Sequence, residues 1–113
     1  MFQRGNLLHL ADPPAEGERM DTLLDHGPLL IERIVSSSRI AGQEYRQPQD
    51  EWVVLLKGNA TLEVEGISMA LCSGDYVFLA SGTPHRVAQV SEGAIWLAVH
   101  LHRAVDGASS GDR

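Results

Sequence analysis

The fold is decided by the stretch Gly74-Asp-Tyr-Val-Phe-Leu-Ala-Ser-Gly-Thr-Pro-His85-Arg-Val87. Its glycines and proline predict a turn, a short apolar strand and a second turn, after which a histidine begins the next strand. A second stretch, residues 43–58, starts as polar Gln-Glu-Tyr-Arg-Gln-Pro-Gln-Asp-Glu and continues into an apolar strand that ends at a glycine. In a β-barrel, polar residues at the mouths of neighbouring strands converge on one pocket. The two stretches therefore carry the candidate functional residues.

The rest of the chain has the pattern of an all-β protein, because short apolar runs rich in β-branched residues alternate with glycines. The predicted strands are Leu29–Ser36, Glu51–Leu56, Ala60–Glu65, Ile67–Leu71, Tyr76–Ala80, His85–Val90 and Ala94–His102. Residues 60–71 form a predicted hairpin, for which Glu65 and Gly66 supply the tight turn. A single helical turn is predicted over Asp21–Asp25, where a following Gly-Pro pair ends it. About seven to nine short strands can close a small barrel around one small ligand.

Composition excludes several classes of function. The chain has 113 residues, enough for one domain, and its nine Lys+Arg against fifteen Asp+Glu give a net charge of −6. Because Lys57 is the only lysine and no basic cluster exists, we expect no nucleic-acid partner. No apolar run reaches the ~20 residues of a membrane span, and the N-terminus lacks a signal-peptide core. The single cysteine, Cys72, excludes an intrachain disulfide, which predicts a cytoplasmic protein.

The two stretches resemble the paired motifs of the cupin family, Gly-x5-His-x-His-x3-4-Glu-x6-Gly and Gly-x5-Pro-x-Gly-x2-His-x3-Asn. The matching residues are Glu51 and Gly58 of the first motif and Gly74, Gly82 and His85 of the second. Ala80 stands in place of the second motif's proline, and Gln89 in place of its asparagine. The resemblance implies a small double-stranded β-helix (jelly-roll) barrel over residues 29–103. Residues 1–28 would then be an N-terminal arm able to exchange a strand in a dimer, and residues 104–113 a flexible tail.

The first motif departs from the family at its two histidines. With a three-residue gap before Glu51, the histidine positions hold Tyr45 and Gln47, and with a four-residue gap they hold Glu44 and Arg46. The local sequence Gln-Pro-Gln-Asp-Glu is similar to the His-Pro-x-Asp-Glu of many cupins and therefore favours the three-residue gap. Neither gap places a histidine at either position. Of the three histidines and one glutamate that the resemblance implies as metal ligands, two residues remain.

Metal binding at this site is therefore expected to be weak or absent. Glu51 and His85 are good ligands for the Fe, Mn, Ni or Zn that the resemblance implies, whereas Gln47 would add only a neutral amide oxygen. Three strong ligands usually define a catalytic metal site. Without a metal, the same residues are predicted to line a ligand pocket. The predicted pocket residues are Tyr45, Gln47, Glu51, His85 and Gln89, the last because strand alternation puts it on the face of His85.

A second candidate metal site is the pair His100-x-His102. Residues two apart on a strand point the same way and lie roughly 6.5–7 Å apart, which is close enough to chelate a metal. However, the more apolar face of this strand is formed by Ile95, Leu97, Val99 and Leu101. That face is expected in the core, so the two histidines are predicted to point outward or into a subunit contact.

Three functions remain open from the sequence. The first is a cytoplasmic cupin that binds a small molecule and is metal-free or weakly metallated. The second is a metal-dependent enzyme, for which the resemblance implies dioxygenase or isomerase chemistry with Glu51 and His85 as ligands. The third is a structural or interaction protein that has lost its site. The missing histidine pair favours the first and the third. The resemblance also implies a homodimer, with Leu7–Leu10 and Leu29–Val35 as the candidate edge strands.

Overall fold

The computed structural model describes residues 1–103, which form two antiparallel β-sheets. The strands are β1 (Glu18–His26), β2 (Leu29–Ser36), β3 (Asp50–Lys57), β4 (Asn59–Val64), β5 (Ile67–Cys72), β6 (Tyr76–Leu79), β7 (His85–Val90) and β8 (Ala94–Leu101). One sheet has the order β1-β2-β8-β3-β6 and the other β5-β4-β7. The predicted all-β class and jelly-roll fold are confirmed, as two sheets rather than one closed barrel. Across the described residues, no helix has the length and apolar character needed to cross a membrane.

The hairpin between β4 and β5 is built by the two residues predicted for its turn. Val64 pairs with Ile67, so that only Glu65 and Gly66 connect the strands. Both turn residues have positive φ, 52° and 79°. Two successive left-handed residues define the type I′ turn, whose twist matches that of the flanking strands.

Gly58, the last residue of the first motif, is required for close packing between two turns. Its φ is +99°, a conformation that residues with a side chain rarely adopt. A Cβ at this position would lie 2.6 Å from Ser91 Oγ and 3.0 Å from Ala94 Cβ. Glycine therefore lets the connection between β3 and β4 approach the connection between β7 and β8.

The hydrophobic core lies between the two sheets. Its buried members are Val53, Leu55, Ala60, Leu62, Leu71, Val90, Ala94, Trp96 and Ala98. Burial of such apolar side chains is the main favourable term in folding. Three of them, Val53, Leu62 and Trp96, also form walls of the cavity described below. The core thus holds the strands that position the site.

The N-terminal segment lies over the outer face of the larger sheet. The buried Arg33 guanidinium donates to the carbonyl oxygens of Leu7 at 3.0 Å, His9 at 2.6 Å and Leu10 at 3.2 Å. It also pairs with the Asp21 carboxylate at 2.8 Å. These bonds hold residues 7–10 against their own chain. Exchange of the N-terminal arm with a partner stays a prediction. The prediction of Leu29–Val35 as an edge strand is wrong, because β2 pairs with β1 on one side and with β8 on the other. The predicted tail, residues 104–113, lies outside the described residues.

The orientation predicted for β8 is wrong. Trp96 and His100 point between the sheets, with only 3% and 4% of their surface exposed, whereas Leu101 is 47% exposed. β8 is the central strand of its sheet, and Ile95 on its outer face is buried as well. A strand covered on both faces carries apolar residues on both, so hydropathy alternation does not identify its inner side.

The helical turn predicted over Asp21–Asp25 is also wrong, because these residues lie within β1. Thr22 pairs with Glu32 and Leu24 with Ile31, which leaves Leu23 as the extra residue of a β-bulge. A bulge interrupts the alternation of the two strand faces. The sequence of β1 therefore lacks the regular pattern by which a strand is recognised.

Candidate ligand-binding cavity

A cavity of about 280 Å³ lies between the two sheets. Its polar and ionisable wall residues are Glu18, Glu32, Tyr45, Gln47, Gln49, Glu51, His85, His100 and His102. Its apolar wall residues are Met20, Leu30, Ile34, Val53, Leu62, Leu79, Val87 and Trp96. An apolar enclosure with a few converging polar groups is typical of sites for small molecules.

Four of the five predicted pocket residues line this one cavity: Tyr45, Gln47, Glu51 and His85. Glu44 and Arg46, the positions of the alternative gap, are exposed and are not part of the wall. The alternation along this segment thus places Tyr45 and Gln47, the histidine positions given by the three-residue gap, in the same wall as Glu51.

Gln89, the fifth predicted residue, is not in the cavity. It is exposed and borders a separate surface depression together with Thr61. Leu62 pairs with Val87 but Thr61 pairs with Gln89, so Ala88 is an extra residue in β7. This bulge reverses the alternation after Val87, which is why buried Val90 takes the inward position.

His85 is held by bonds on both its backbone and its ring. Its backbone N–H donates to the Tyr45 carbonyl at 3.0 Å, and Tyr45 N–H donates to the His85 carbonyl at 2.8 Å. The ring Nδ1 lies 3.0 Å from the Thr83 carbonyl oxygen. Because a carbonyl only accepts, Nδ1 carries a proton, so Nε2 of the neutral ring is an acceptor. Tyr45 and His85 are thereby fixed as neighbours in the cavity wall.

Glu51 is the most buried carboxylate of the cavity, with 6% of its surface exposed. On β3 it pairs with His100 of β8 on one side and with Leu79 of β6 on the other. Burial raises the pKa of the Glu51 carboxyl, and the nearby Glu32 and Glu18 raise it further, while His100 opposes the shift. Among the described residues, no side chain or backbone group forms a hydrogen bond with this carboxyl.

His100 joins two further wall residues in a small network that the sequence did not predict. Its Nε2 lies 3.1 Å from Glu32 Oε1, and its Nδ1 lies 3.2 Å from Gln49 Nε2. Since the Gln49 amide nitrogen only donates, Nδ1 accepts and Nε2 carries the proton toward Glu32. A signal for this network was available in β2, where a charged residue interrupts Leu-Leu-Ile-Glu-Arg-Ile-Val and alternation places Glu32 on one face with Leu30 and Ile34.

Glu18 contributes a third carboxyl to the cavity. Burial raises its pKa, and a hydrogen bond from Ser36 lowers it in part. Trp96 Nε1 donates to Ser36 Oγ at 3.1 Å, and Ser36 Oγ donates to Glu18 Oε2 at 3.1 Å. This chain of bonds fixes Glu18 against the core. No sequence signal identified it, because it lies at the start of the irregular strand β1.

The donor set does not fit the transition metal that the cupin resemblance implies. The four ligand positions hold Tyr45, Gln47, Glu51 and His85, of which only the last two are strong ligands. Within residues 1–103, no group of three or more His, Cys, Asp or Glu side chains is arranged to hold a metal ion. The buried oxygen Oε1 of Gln47 has no hydrogen-bond partner in the described part of the chain, but an amide oxygen is a weak third ligand. We therefore derive no chemical step through a metal.

The family model described as the cupin domain matches residues 34–100, more than half of the chain. The chain belongs to the cupin family. The match includes both motif stretches, so the departures at Tyr45 and Gln47 are variations within a cupin. No curated protein shows significant similarity to this cupin.

Several solved structures are similar to this cupin. A protein from Ralstonia eutropha JMP134, provisionally described as a mannose-6-phosphate isomerase, is 36% identical with a TM-score of 0.81, covering 89% of this chain and 99% of that one. A conserved protein of unknown function from Streptococcus pyogenes is 21% identical with a TM-score of 0.73, covering 91% and 90%. A predicted oxalate decarboxylase from Thermotoga maritima is 21% identical with a TM-score of 0.66, covering 76% and 81%. The last two likenesses show the fold alone.

Proposed function

We propose that this cupin binds a small polar molecule in the cavity, as a cytoplasmic protein that is metal-free or weakly metallated. The supporting observation is that two acceptors in the cavity wall lack partners among the described residues: the buried atom Gln47 Oε1 and the carboxyl of the buried residue Glu51. Buried polar groups in native proteins are nearly always hydrogen-bonded. A bound molecule that donates hydrogen bonds would supply both missing partners.

The name of the Ralstonia protein suggests a sugar phosphate, but the cavity argues against such a ligand here. Phosphate recognition generally uses Arg, Lys or a helix N-terminus. Within the described residues, the wall contains three glutamates and three histidines but neither Lys nor Arg. A phosphate in this cavity would therefore lie beside carboxyl groups without its usual cationic partners, which disfavours the activity named for the Ralstonia protein.

The two alternative functions have less support. A metal-dependent dioxygenase or isomerase would need a stronger donor set than Glu51 and His85 provide with Gln47. A purely structural cupin has no need of an acid-lined cavity, because burying polar groups without partners is unfavourable for folding. The retained polar wall is better explained by a ligand.

Fragment binding tests the proposed function. We expect polar fragments to shift backbone NMR signals of Tyr45, Glu51 and His85, because these residues share the cavity wall. Val87→Phe should abolish the shifts by filling the cavity, whereas Ile67→Phe, at an exposed position of β5, should retain them. The function is wrong if no fragment of any class shifts these signals, or if binding survives in a folded Val87→Phe variant.

We also propose a homodimer, supported by an exposed aromatic patch on the outer face of the larger sheet. Trp52, Tyr76 and Phe78 are 36%, 65% and 60% exposed, and Trp52 pairs with Phe78 across β3 and β6. Exposed apolar patches of this kind mark protein–protein contacts. Phe78→Glu should convert the dimer to a monomer in light scattering, while Ile67→Glu, equally exposed on the other sheet, should not. A monomeric native protein, or an unchanged dimer with Phe78→Glu, would contradict this assembly.

A further inference from the structure

We propose that the molecule bound by this cavity is a small organic amine in its protonated form, with its ammonium group donating to the Glu51 carboxylate and to Gln47 Oε1. The inference rests on the proposed binding function and specifies its ligand class. It is carried by the charge of the wall, by two acceptors without partners among the described residues, and by the apolar surface beside them.

The wall of the cavity has an excess of acidic groups. Glu18, Glu32 and Glu51 come from three different strands, and neither Lys nor Arg accompanies them within the described residues. Two of the three have protein partners: Glu32 accepts from His100 at 3.1 Å, and Glu18 accepts from Ser36 at 3.1 Å. Glu51 is therefore the carboxyl that remains for a ligand.

Glu51 is a buried residue whose carboxyl has no hydrogen-bond partner among the described residues. Only 6% of its surface is exposed, and it faces the cavity between β6 and β8. Burying a carboxylate without a partner is unfavourable for folding. The cost is reduced either when the carboxylate takes up a proton or when it binds a cation. Burial indeed raises the pKa of the Glu51 carboxyl, so a cation would compete with the proton for the same oxygen atoms.

The neighbouring polar groups are also acceptors. Gln47 Oε1 is buried in the same wall without a partner among the described residues. The Nδ1–H of His85 donates to Thr83, so Nε2 of the neutral ring is a further acceptor. An alkylammonium group carries up to three N–H donors and no acceptor, so it matches this set. A divalent metal ion matches it less well, since within residues 1–103 no three or more His, Cys, Asp or Glu side chains are arranged to hold a metal ion.

The rest of the cavity suits the carbon skeleton of an amine. Val53, Leu62, Val87 and Trp96 form an apolar surface beside the acceptors. With a volume of about 280 Å³, the cavity limits the ligand to a compact molecule. The two surfaces together favour a short-chain or cyclic amine over a long polyamine.

Calorimetry with matched amines and alcohols tests the inference. The probes are a set of compact amines that fit the cavity, such as cyclohexylamine, each paired with its alcohol, such as cyclohexanol, at pH 8. At least one amine should bind about tenfold or more tightly than its alcohol, because the alcohol lacks the positive charge that pairs with Glu51 and has only one donor. Glu51→Gln should lower the affinity for that amine at least about tenfold. Glu16→Gln, which removes an exposed carboxylate, should leave the affinity unchanged.

The outcomes separate the ligand class from the binding function. If alcohols bind as tightly as amines and Glu51→Gln has no effect, the cavity takes a neutral molecule, and the amine assignment is overturned while binding stands. If no amine binds, the assignment is likewise overturned. Tighter binding of mannose 6-phosphate or Zn²⁺ than of every amine would also contradict it. The proposed function itself fails if fragments of all classes leave the cavity unoccupied, or if binding survives in a folded Val87→Phe variant.

Discussion

Replacing both Tyr45 and Gln47 with histidine should raise the affinity of this cupin for Ni²⁺ or Zn²⁺ at least about tenfold, because imidazoles are far stronger ligands than a phenol or an amide. Both positions lie in the cavity wall with Glu51 and His85. The ring of His85 is already oriented, since its Nδ1–H donates to Thr83 and frees Nε2 for a metal. Isothermal titration of the metal-stripped variant would measure the gain.

A displaced histidine pair provides the control for this substitution. Glu44→His with Arg46→His adds the same number of imidazoles at exposed positions outside the wall. Its gain in affinity should be smaller and should not depend on Glu51. Adding Glu51→Gln should reduce the gain only in the variant with histidines at 45 and 47. Equal affinities for the two double variants would show that Tyr45 and Gln47 do not share a site with Glu51 and His85.

The second large effect is expected for the stability of Glu51→Gln. Burial raises the pKa of the Glu51 carboxyl above its ordinary value of 4.5, so the folded protein binds this proton more tightly than the unfolded chain does. Stability then falls as the pH rises through the interval between the unfolded and the folded pKa. Because glutamine cannot ionise, Glu51→Gln should unfold at higher urea concentration at pH 8, by about 1–3 kcal/mol in free energy.

The pH dependence distinguishes this explanation from general effects on packing. The gain should disappear near pH 4, where the carboxyl of the native protein is protonated in both states. Glu18 on β1, Glu32 on β2 and His100 on β8 face Glu51, so the charges of these three groups contribute to its pKa. Glu16→Gln, at an exposed position, should show no comparable gain. A Glu51→Gln variant that is less stable than the native protein at pH 8 would mean that Glu51 has a stabilising partner.

The combination of these two properties would be informative about function. Some residues lower the stability of the free protein at neutral pH and are nevertheless needed for ligand binding. Such a residue serves the function of the site and not the stability of the fold. A Glu51→Gln variant that is more stable and binds no amine would have this signature. A structural cupin would show the first property without the second.

The sequence alone determined the fold and one part of the cavity wall. Turn residues act locally, so the Glu65-Gly66 pair and the motif glycines could be assigned without knowing their neighbours. The motif spacing then placed Tyr45, Gln47, Glu51 and His85 near one another. The predicted strands agree closely with those observed, because glycine and proline residues mark their ends.

Only the tertiary structure decided which other side chains enter the cavity. His100 and Glu32 are 68 residues apart in the chain and meet because β2 and β8 are neighbours in the sheet. Both faces of β8 are covered, so the packing of the two sheets decides which of its side chains point inward. Gln89 is excluded from the cavity by a bulge that exists only when β7 pairs with β4. Hydropathy alternation carries no information about either feature, since both arise from pairing between strands that are distant in sequence. The acidic character of the cavity, on which its proposed ligand depends, is therefore a property of the assembled sheets.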